Sequence, residues 1–323
     1  MRATWHQGKF AVNRCTIGIN LSIIRTYSSK AMNPTATTPI DRLSALLERF
    51  RVRAHLFHNG PLCGVSSFAA EPGRGFLHVL RRGDMVVTHR HRAGAPRRLA
   101  LHEPSLLFYP RPLAHEFHHA LAEGCDFTCA ALDFDGGSQH PLARALPPLV
   151  VLPLHQVEGL QHSLALLFAE TDHLRCGHRL LADRLFEVVL LQVLRWLLDH
   201  PSESGVSTGL LVGLSDPALA RALTALHEAP GESWSLARMA QQAGMSRSAF
   251  AAHFKAVVGE TPAGYLSDWR LTIAQTQFRA GHSVKSIADE LGYANASALS
   301  RLFSQRMGMS PRAWLAQTMP VNP

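Results

Sequence analysis

The sequence predicts an α+β chain: an N-terminal antiparallel β-barrel, a helical segment, and a C-terminal all-α domain with two helix-turn-helix motifs. Three observations carry this. Between Val52 and about Pro153, short alternating runs are punctuated by Gly, Pro and Asp, the pattern of an antiparallel barrel or sandwich. From His155 to His200 the apolar residues recur at helical spacing. Between Trp234 and Leu315 one detailed pattern occurs twice, which marks an internal repeat.

Composition narrows the class. The 323 residues leave room for two or three domains, and with 46% hydrophobic and 17% charged residues the chain reads as globular. The longest apolar helical run, Leu185 to Leu198, is interrupted by Glu187 and Arg195, so no membrane span is expected. The net charge of +8 is uneven: residues 234–323 hold nine Lys/Arg against four acids, whereas residues 32–233 are nearly balanced. Folded positive excess therefore gathers on the repeat, where phosphates would be met. Five cysteines in a chain this long make no disulfide scaffold, and a reducing cytoplasm is the simpler location. No nucleophile elbow, phosphate-binding glycine loop or paired-carboxylate signature appears.

Taken in order, Met1–Lys30 is basic and acid-free, like a transit peptide or the n-region of a signal, but it lacks a clean apolar stretch with a small-residue cleavage site. A translation start at Met32 is favoured, and residues 1–40 are read as a disordered or mis-assigned start. Asp41–Phe50 has a helical stripe of Leu43, Leu46, Leu47 and Phe50. Phe76 to His89 supplies two strands around a Gly83-Asp84 turn, and Glu103 to His115 another strand ended by prolines. In the helical segment, Leu180, Leu181, Leu185, Val188, Val189, Val193, Trp196 and Leu197 cover more than half the circumference, which fits a dimer interface or a helix sandwiched within its own chain. Pro201–Thr208 is the best linker, and Asp216-Pro217 caps the next helix.

The repeat has the physics of a helix-turn-helix. Ala240 and Ala288 are small where a second helix crosses, and Gly244 and Gly292 supply the left-handed end of the first helix. Ser246 caps the second helix, whose buried stripe is Phe250 and Phe254, matched by Leu299 and Phe303; Gly259-x-x-Pro262 is matched by Gly308-x-x-Pro311. The outer face remains free for a major groove, and two units about 48 residues apart suit two adjacent insertions.

This pair, with Trp269-Arg270-Leu271-x-x-Ala274 on the joining helix, resembles the AraC/XylS-type DNA-binding domain over roughly residues 215–318. Residues 41–153 are similar to the cupin-type sensor domain of one branch of that family, through His78, Gly83 and the Pro110–His115 turn; Glu103-Pro104 and Pro112 depart from its pattern. The resemblance implies a helical linker or dimerisation segment at 154–200, a linker at 201–214, and a homodimer that binds double-stranded DNA under control of a small-molecule, metal or oxidant effector, with RNA polymerase as a further partner.

The expected DNA-contacting residues are Ser246, Arg247, Ser248, Ala251, His253 and Lys255 in the first copy. In the second copy they are Asn295, Ser297, Ser300, Arg301 and Arg306. Family members often carry Arg or Gln where Ala251 and Ala252 stand. The first copy is therefore expected to give weaker base readout, with Arg247 and Lys255 on phosphate and with Asn295 and Arg301 suited to adenine and guanine.

In the barrel, Gly83-x5-His89-x-His91 fits the opening of the metal-binding cupin motif and His115 its later histidine, but Ala95 and Pro96 stand where a glutamate is expected. His78, His89, His91 and His115 thus hold either a divalent transition metal or the polar side of an organic-ligand pocket. Cys125 and Cys129 lie about 13 Å apart on an extended strand, too far to bond each other. Either could pair with Cys63, or all three could be small apolar core residues. The alternative to a transcription regulator is a metal-dependent cupin enzyme with an accessory helical domain.

Overall fold

The computed structural model describes residues 40–62, 64–90, 94–119 and 125–318. The proposed start at Met32, Cys63 and His91 lie outside the described residues. The described part forms one compact unit from Ile40 onward.

The first helix, α1 (Ser44–Arg49), is followed by nine strands, as the alternating runs predict: β1 (Val52–Leu62), β2 (Gly64–Phe68), β3 (Arg74–Arg82), β4 (Met85–His89), β5 (Arg98–Leu101), β6 (Ser105–Tyr109), β7 (His115–His119), β8 (Cys125–Phe134) and β9 (Val150–Pro153). A short α2 (Pro141–Ala145) sits between β8 and β9. The predicted barrel takes the form of two antiparallel sheets, ordered β1-β8-β3-β6-β9 and β2-β7-β4-β5. The two strands flanking Gly83-Asp84 belong to different sheets: β3 pairs with β6 and β8, while β4 pairs with β5 and β7. Gly83, at φ +92°, makes the corner by which the chain changes sheets.

The inner strands β3, β6 and β8 of the five-stranded sheet are buried on both faces over most of their length. Alternate residues divide between two cores. Phe76, Leu80, Leu107, Tyr109, Phe127 and Cys129 face the four-stranded sheet. Leu77, Val79, Leu106, Phe108, Ala130 and Leu132 face the helices.

The helical run expected from 155 to 200 is broken at 173–177 into α3 (Leu160–Asp172) and α4 (His178–Asp199), with Gly177 at φ +80° before the second. Asp183 and Glu187 of α4 accept hydrogen bonds from the Leu56 and Ala54 amides of β1, which blunts that sheet edge. Across the Pro201–Thr208 stretch follow α5 (Leu210–Ser215), α6 (Pro217–Glu228), α7 (Leu236–Ala243), α8 (Arg247–Val258), α9 (Pro262–Arg279), α10 (Val284–Glu290), α11 (Ala296–Met307) and α12 (Pro311–Thr318). The proposed linker includes a 3-10 turn at Pro201–Ser204. The hydrophobic core on the helix side of the sheet runs on without a break into α6, α8, α9 and α11.

Phe50 is where the sheet side meets the helices. Its ring is 1% exposed and stands edge-on to Trp269 of α9 at 5.2 Å and to His140 at 5.9 Å. His140 Nε2 donates to the Phe50 carbonyl at 2.9 Å. Beside it, Arg49 donates to the carbonyls of His227 and Glu228, the last two residues of α6, at 3.2 and 3.3 Å. A guanidinium suits that position because it meets the negative end of the helix.

Candidate nucleic-acid interface

The two repeats are capped alike at each helix start. Ser235 and Ser283 accept from the Arg238 and Ser286 amides to open α7 and α10. Ser246 Oγ and Asn295 Oδ1 accept from the Ala249 and Ala298 amides to open α8 and α11. Thr261 and Ser310 accept from the Gly264 and Ala313 amides to open α9 and α12. Gly244 (φ +70°) and Gly292 (φ +71°) end the first helix of each unit, and the Met245 and Tyr293 amides turn back onto the Ala240 and Ala288 carbonyls. Phe250, Phe254, Leu299 and Phe303 are fully buried, which aims the opposite faces of α8 and α11 outward.

On α8, Arg247, Ser248, Ala252 and Lys255 are exposed and Ala251 is half-buried. His253 is half-buried, with its Nε2 2.7 Å from Oδ2 of Asp216, whose Oδ1 caps α6; this imidazole is engaged within the protein. On α11, Ser297 and Arg301 are exposed and Ser300 is half-buried. Arg306 pairs with Asp268 at 3.0 Å, so its charge is partly met. Asn295, expected to read adenine, spends one carboxamide lone pair on the α11 cap. Arg247, Lys255 and Arg301 form no ion pair with a described residue and are exposed cations on the two outward faces.

Two exposed cations were missed from sequence: Lys285, in the first turn of α10, and Arg312, in the first turn of α12. The signal was present in the repeat, where they replace Ala237 and Ala263 of the first copy.

The units are held in one relative placement. A Cβ on Gly292 would lie 1.9 Å from the Gly231 carbonyl oxygen, and one on Gly231 would lie 2.0 Å from that of Glu290. The α6–α7 loop therefore meets the turn of the second unit backbone to backbone. Arg270 of α9 clamps the same loop, donating to the Pro230 and Glu232 carbonyls at 2.7 and 2.9 Å while its guanidinium lies over the Tyr293 ring.

In the core between the sheets, His78, His89 and His115 come together. His89 Nδ1 lies 2.6 Å from the Pro96 carbonyl and His115 Nδ1 2.8 Å from that of Leu113. Those contacts put the ring protons on Nδ1 and leave both Nε2 atoms as acceptors, for Tyr109 at 3.1 Å and for His78 Nε2 at 3.1 Å. The same assignment leaves His78 Nδ1 a buried acceptor without a partner. Burial lowers all three imidazole pKa values, that of His115 to about 4, so each ring is neutral at pH 7.

Tyr109 stacks on His115 at 4.0 Å, and Phe68, Phe76 and Phe117 pack around the group. Among the described residues no three His, Cys, Asp or Glu side chains are arranged to hold a metal ion. The Nε2 atoms of His78 and His115 meet each other and that of His89 meets Tyr109, while His91, the fourth expected donor, lies outside the described residues.

Cys125 and Cys129 are buried. Cys125 Sγ donates to the Asp84 carbonyl at 2.8 Å. Burial pushes the Cys129 thiol well above its usual pKa, which disfavours the thiolate that an oxidant would attack.

A cupin family model matches residues 41–199, and a helix-turn-helix domain model matches residues 239–317. An AraC-like transcription regulator of Streptomyces antibioticus is 38% identical over 186 residues, 57% of this chain and 61% of that one. A second, of Streptomyces lividans, is 39% identical over 55% of this chain and 59% of that one. The regulator AlkR of Acinetobacter baylyi is 30% identical over 58% and 61%. The match thus spans about three fifths of each relative. Among solved structures, an AraC-type DNA-binding domain protein from Chromobacterium violaceum aligns with 33% of this chain at 23% identity and a TM-score of 0.30.

Proposed function

We propose that this chain, in which a cupin domain precedes a helix-turn-helix domain and whose relatives are AraC-like regulators, is a sequence-specific DNA-binding transcription regulator controlled by an effector. The supporting observation is the pair of equally capped units, locked together at Gly231 and Gly292, that turn Arg247, Lys255 and Arg301 outward. Two recognition helices in a fixed relation read two neighbouring major-groove segments, and the cations meet phosphates or guanine edges.

The second copy carries more of the sequence preference. Arg301 stands where the first copy has Ala252, and Lys285 and Arg312 add phosphate contacts that the first copy lacks. No helix among the described residues is long and apolar enough to cross a membrane, and we place the protein in the cytoplasm with DNA. Leu180, Leu181, Val188 and Leu191 of α4 are 40–73% exposed; such an apolar strip serves a second copy of the chain, giving a homodimer.

Fluorescence anisotropy at physiological salt tests the function. Affinity for the DNA upstream of its own and neighbouring genes should exceed that for scrambled DNA by ~10³ or more, and a ratio near one refutes it. Arg301→Ala should cost about 1–3 kcal/mol at one base position, whereas Lys255→Ala should weaken all sequences and lower the salt slope by about one.

A further inference from the structure

The outward faces of α8 and α11 can be compared position by position, because both helices start on matching caps and run for 12 residues. With Phe250 and Phe254 laid on Leu299 and Phe303, Ser248 meets Ser297, Ala252 meets Arg301 and Ala256 meets Gln305. These positions, at i, i+4 and i+8, form one stripe opposite the buried residues, and every side chain in it is exposed. The stripe reads Ser-Ala-Ala on α8 and Ser-Arg-Gln on α11.

The flanks of the stripe are inverted between the two helices. Arg247 and Lys255 of α8 are matched by Ala296 and Ser304 of α11. On α8 two cations therefore bracket small side chains, whereas on α11 the polar reach lies in the stripe itself. Arg306 of α11 is turned to Asp268, and the exposed cations Lys285 and Arg312 of the second unit stand on α10 and α12. Phosphate contacts position a helix without reading sequence, and base edges call for directed donors and acceptors. By that division α8 is the anchoring helix and α11 the reading one.

Gln305 is the uncommitted member of this set. Gln275 and Gln277 of α9 spend their amide N–H groups on Met307 and Glu290. The exposed Gln305 amide has no hydrogen-bond partner among the described residues. It lies one turn beyond Arg301, about 6 Å further along the helix axis. Stacked bases are about 3.4 Å apart, so side chains with this spacing reach edges about two steps apart. A carboxamide pairs a donor with an acceptor, the pattern that adenine matches in the major groove through N7 and N6.

We propose that Gln305 is a specificity-determining residue, reading an adenine within about two base pairs of the guanine that Arg301 reads. The half of the site under α8, where Ala252 and Ala256 stand, carries no such pair of required bases. This rests on the DNA-binding reading above and names the bases that the second unit selects.

The test selects sites for the full chain from a random double-stranded DNA library at physiological salt, then measures affinities by anisotropy. Wild type should select a guanine and an adenine within about two base pairs in one half of its site. Gln305→Ala should keep the guanine, accept any base in place of the adenine, and bind the selected site about five- to a hundredfold more weakly. Its Tm should match that of wild type, because Gln305 is exposed. Ala252→Arg combined with Ala256→Gln should install the same pair of bases in the other half. The proposal is overturned if Gln305→Ala weakens all sequences alike, as loss of a phosphate contact does, if it relaxes a base other than adenine, or if the altered α8 leaves its half of the site unchanged. A wild type that selects nothing over random DNA refutes the regulator reading and this inference with it. A selective wild type beside a Gln305→Ala that selects the same site refutes this inference alone.

Discussion

Replacing Gly292 by Ala tests the backbone contact that fixes the two helix-turn-helix units against each other. Gly292 (φ +71°) and Gly308 (φ +73°) occupy the same left-handed region, but an added Cβ at Gly308 meets nothing within 4 Å, whereas at Gly292 it would lie 1.9 Å from a backbone oxygen. Both variants incur a left-handed penalty of about 1–2 kcal/mol and gain similarly from a stiffer unfolded chain. Their difference therefore isolates the contact.

To reach an ordinary separation the Gly231 loop must retreat by more than about 1 Å, and the Arg270 hydrogen bonds to Pro230 and Glu232 stretch with it. Weakening two charge-assisted bonds and opening the packing around them should make Gly292→Ala about 2–4 kcal/mol less stable than Gly308→Ala. Urea unfolding of both proteins, with the m-value checked for constancy, reads this directly. Under the proposed function, Gly292→Ala should also bind DNA more weakly below its unfolding transition, since α11 no longer falls in register with α8. If the two variants unfold within about 0.5 kcal/mol of each other, the units are not locked at this contact.

Further outcomes follow from other particulars. Asn295→Ala should cost about 1 kcal/mol by uncapping α11, and Asn295→Ser should restore the stability; the DNA preference of the Ser variant then shows how much Asn295 itself reads. Burial depresses His227 to about 3 and His115 and His140 to about 4, below the 6.5 of an unfolded histidine. Each contributes stability that is fully present above pH 6.5 and is lost as the pH falls toward 4, because the unfolded chain binds protons that the folded one excludes. Three such groups give a slope approaching about 4 kcal/mol per pH unit near pH 5, and urea midpoints between pH 7 and 4.5 should show it, with His140→Gln reducing the slope by about a third. Leu180→Lys combined with Leu191→Lys should turn a dimer into a monomer in analytical ultracentrifugation; a chain that stays dimeric uses another surface.

The repeat was legible because its code is local: Gly244 and Gly292, Ser246 and Asn295, Pro262 and Pro311 act within a few residues of where they stand. The strands were legible for the same reason, and Met85, Val87 and His89 do share the buried face of β4 that alternation gives them. What depends on distant residues was not legible. The chain changes sheets at Gly83, but nothing in Phe76–His89 says that Arg74–Arg82 will pair with β6 and β8 rather than with Met85–His89. His253 reads as an exposed flank of a recognition helix until Asp216, 37 residues earlier, is seen beside it. Gly231 follows α6, and its need for a bare Cα comes from Glu290 and Gly292, which only the fold brings near.

Under the proposed function, the architecture also limits how occupancy of the cupin domain reaches DNA. His78, His89 and His115 lie between the two sheets, and β3 separates them from the helices: His78 faces inward while its neighbours Leu77 and Val79 face outward. A ligand confined to that inner core touches nothing that contacts α9. To move the DNA-reading part, the protein must give up Phe50 against Trp269 and Arg49 against the end of α6. Exposing a buried phenylalanine, about 150–200 Å² at about 25 cal/mol per Å², together with two charged hydrogen bonds, costs on the order of 5 kcal/mol or more. A ligand shifts such an equilibrium only by its differential affinity for the two arrangements, which here must approach 10⁴-fold. A ligand among the histidines must therefore first move the β3–β6–β8 sheet. The contacts that such a movement has to reach are Phe50 on Trp269 and Arg49 on the end of α6.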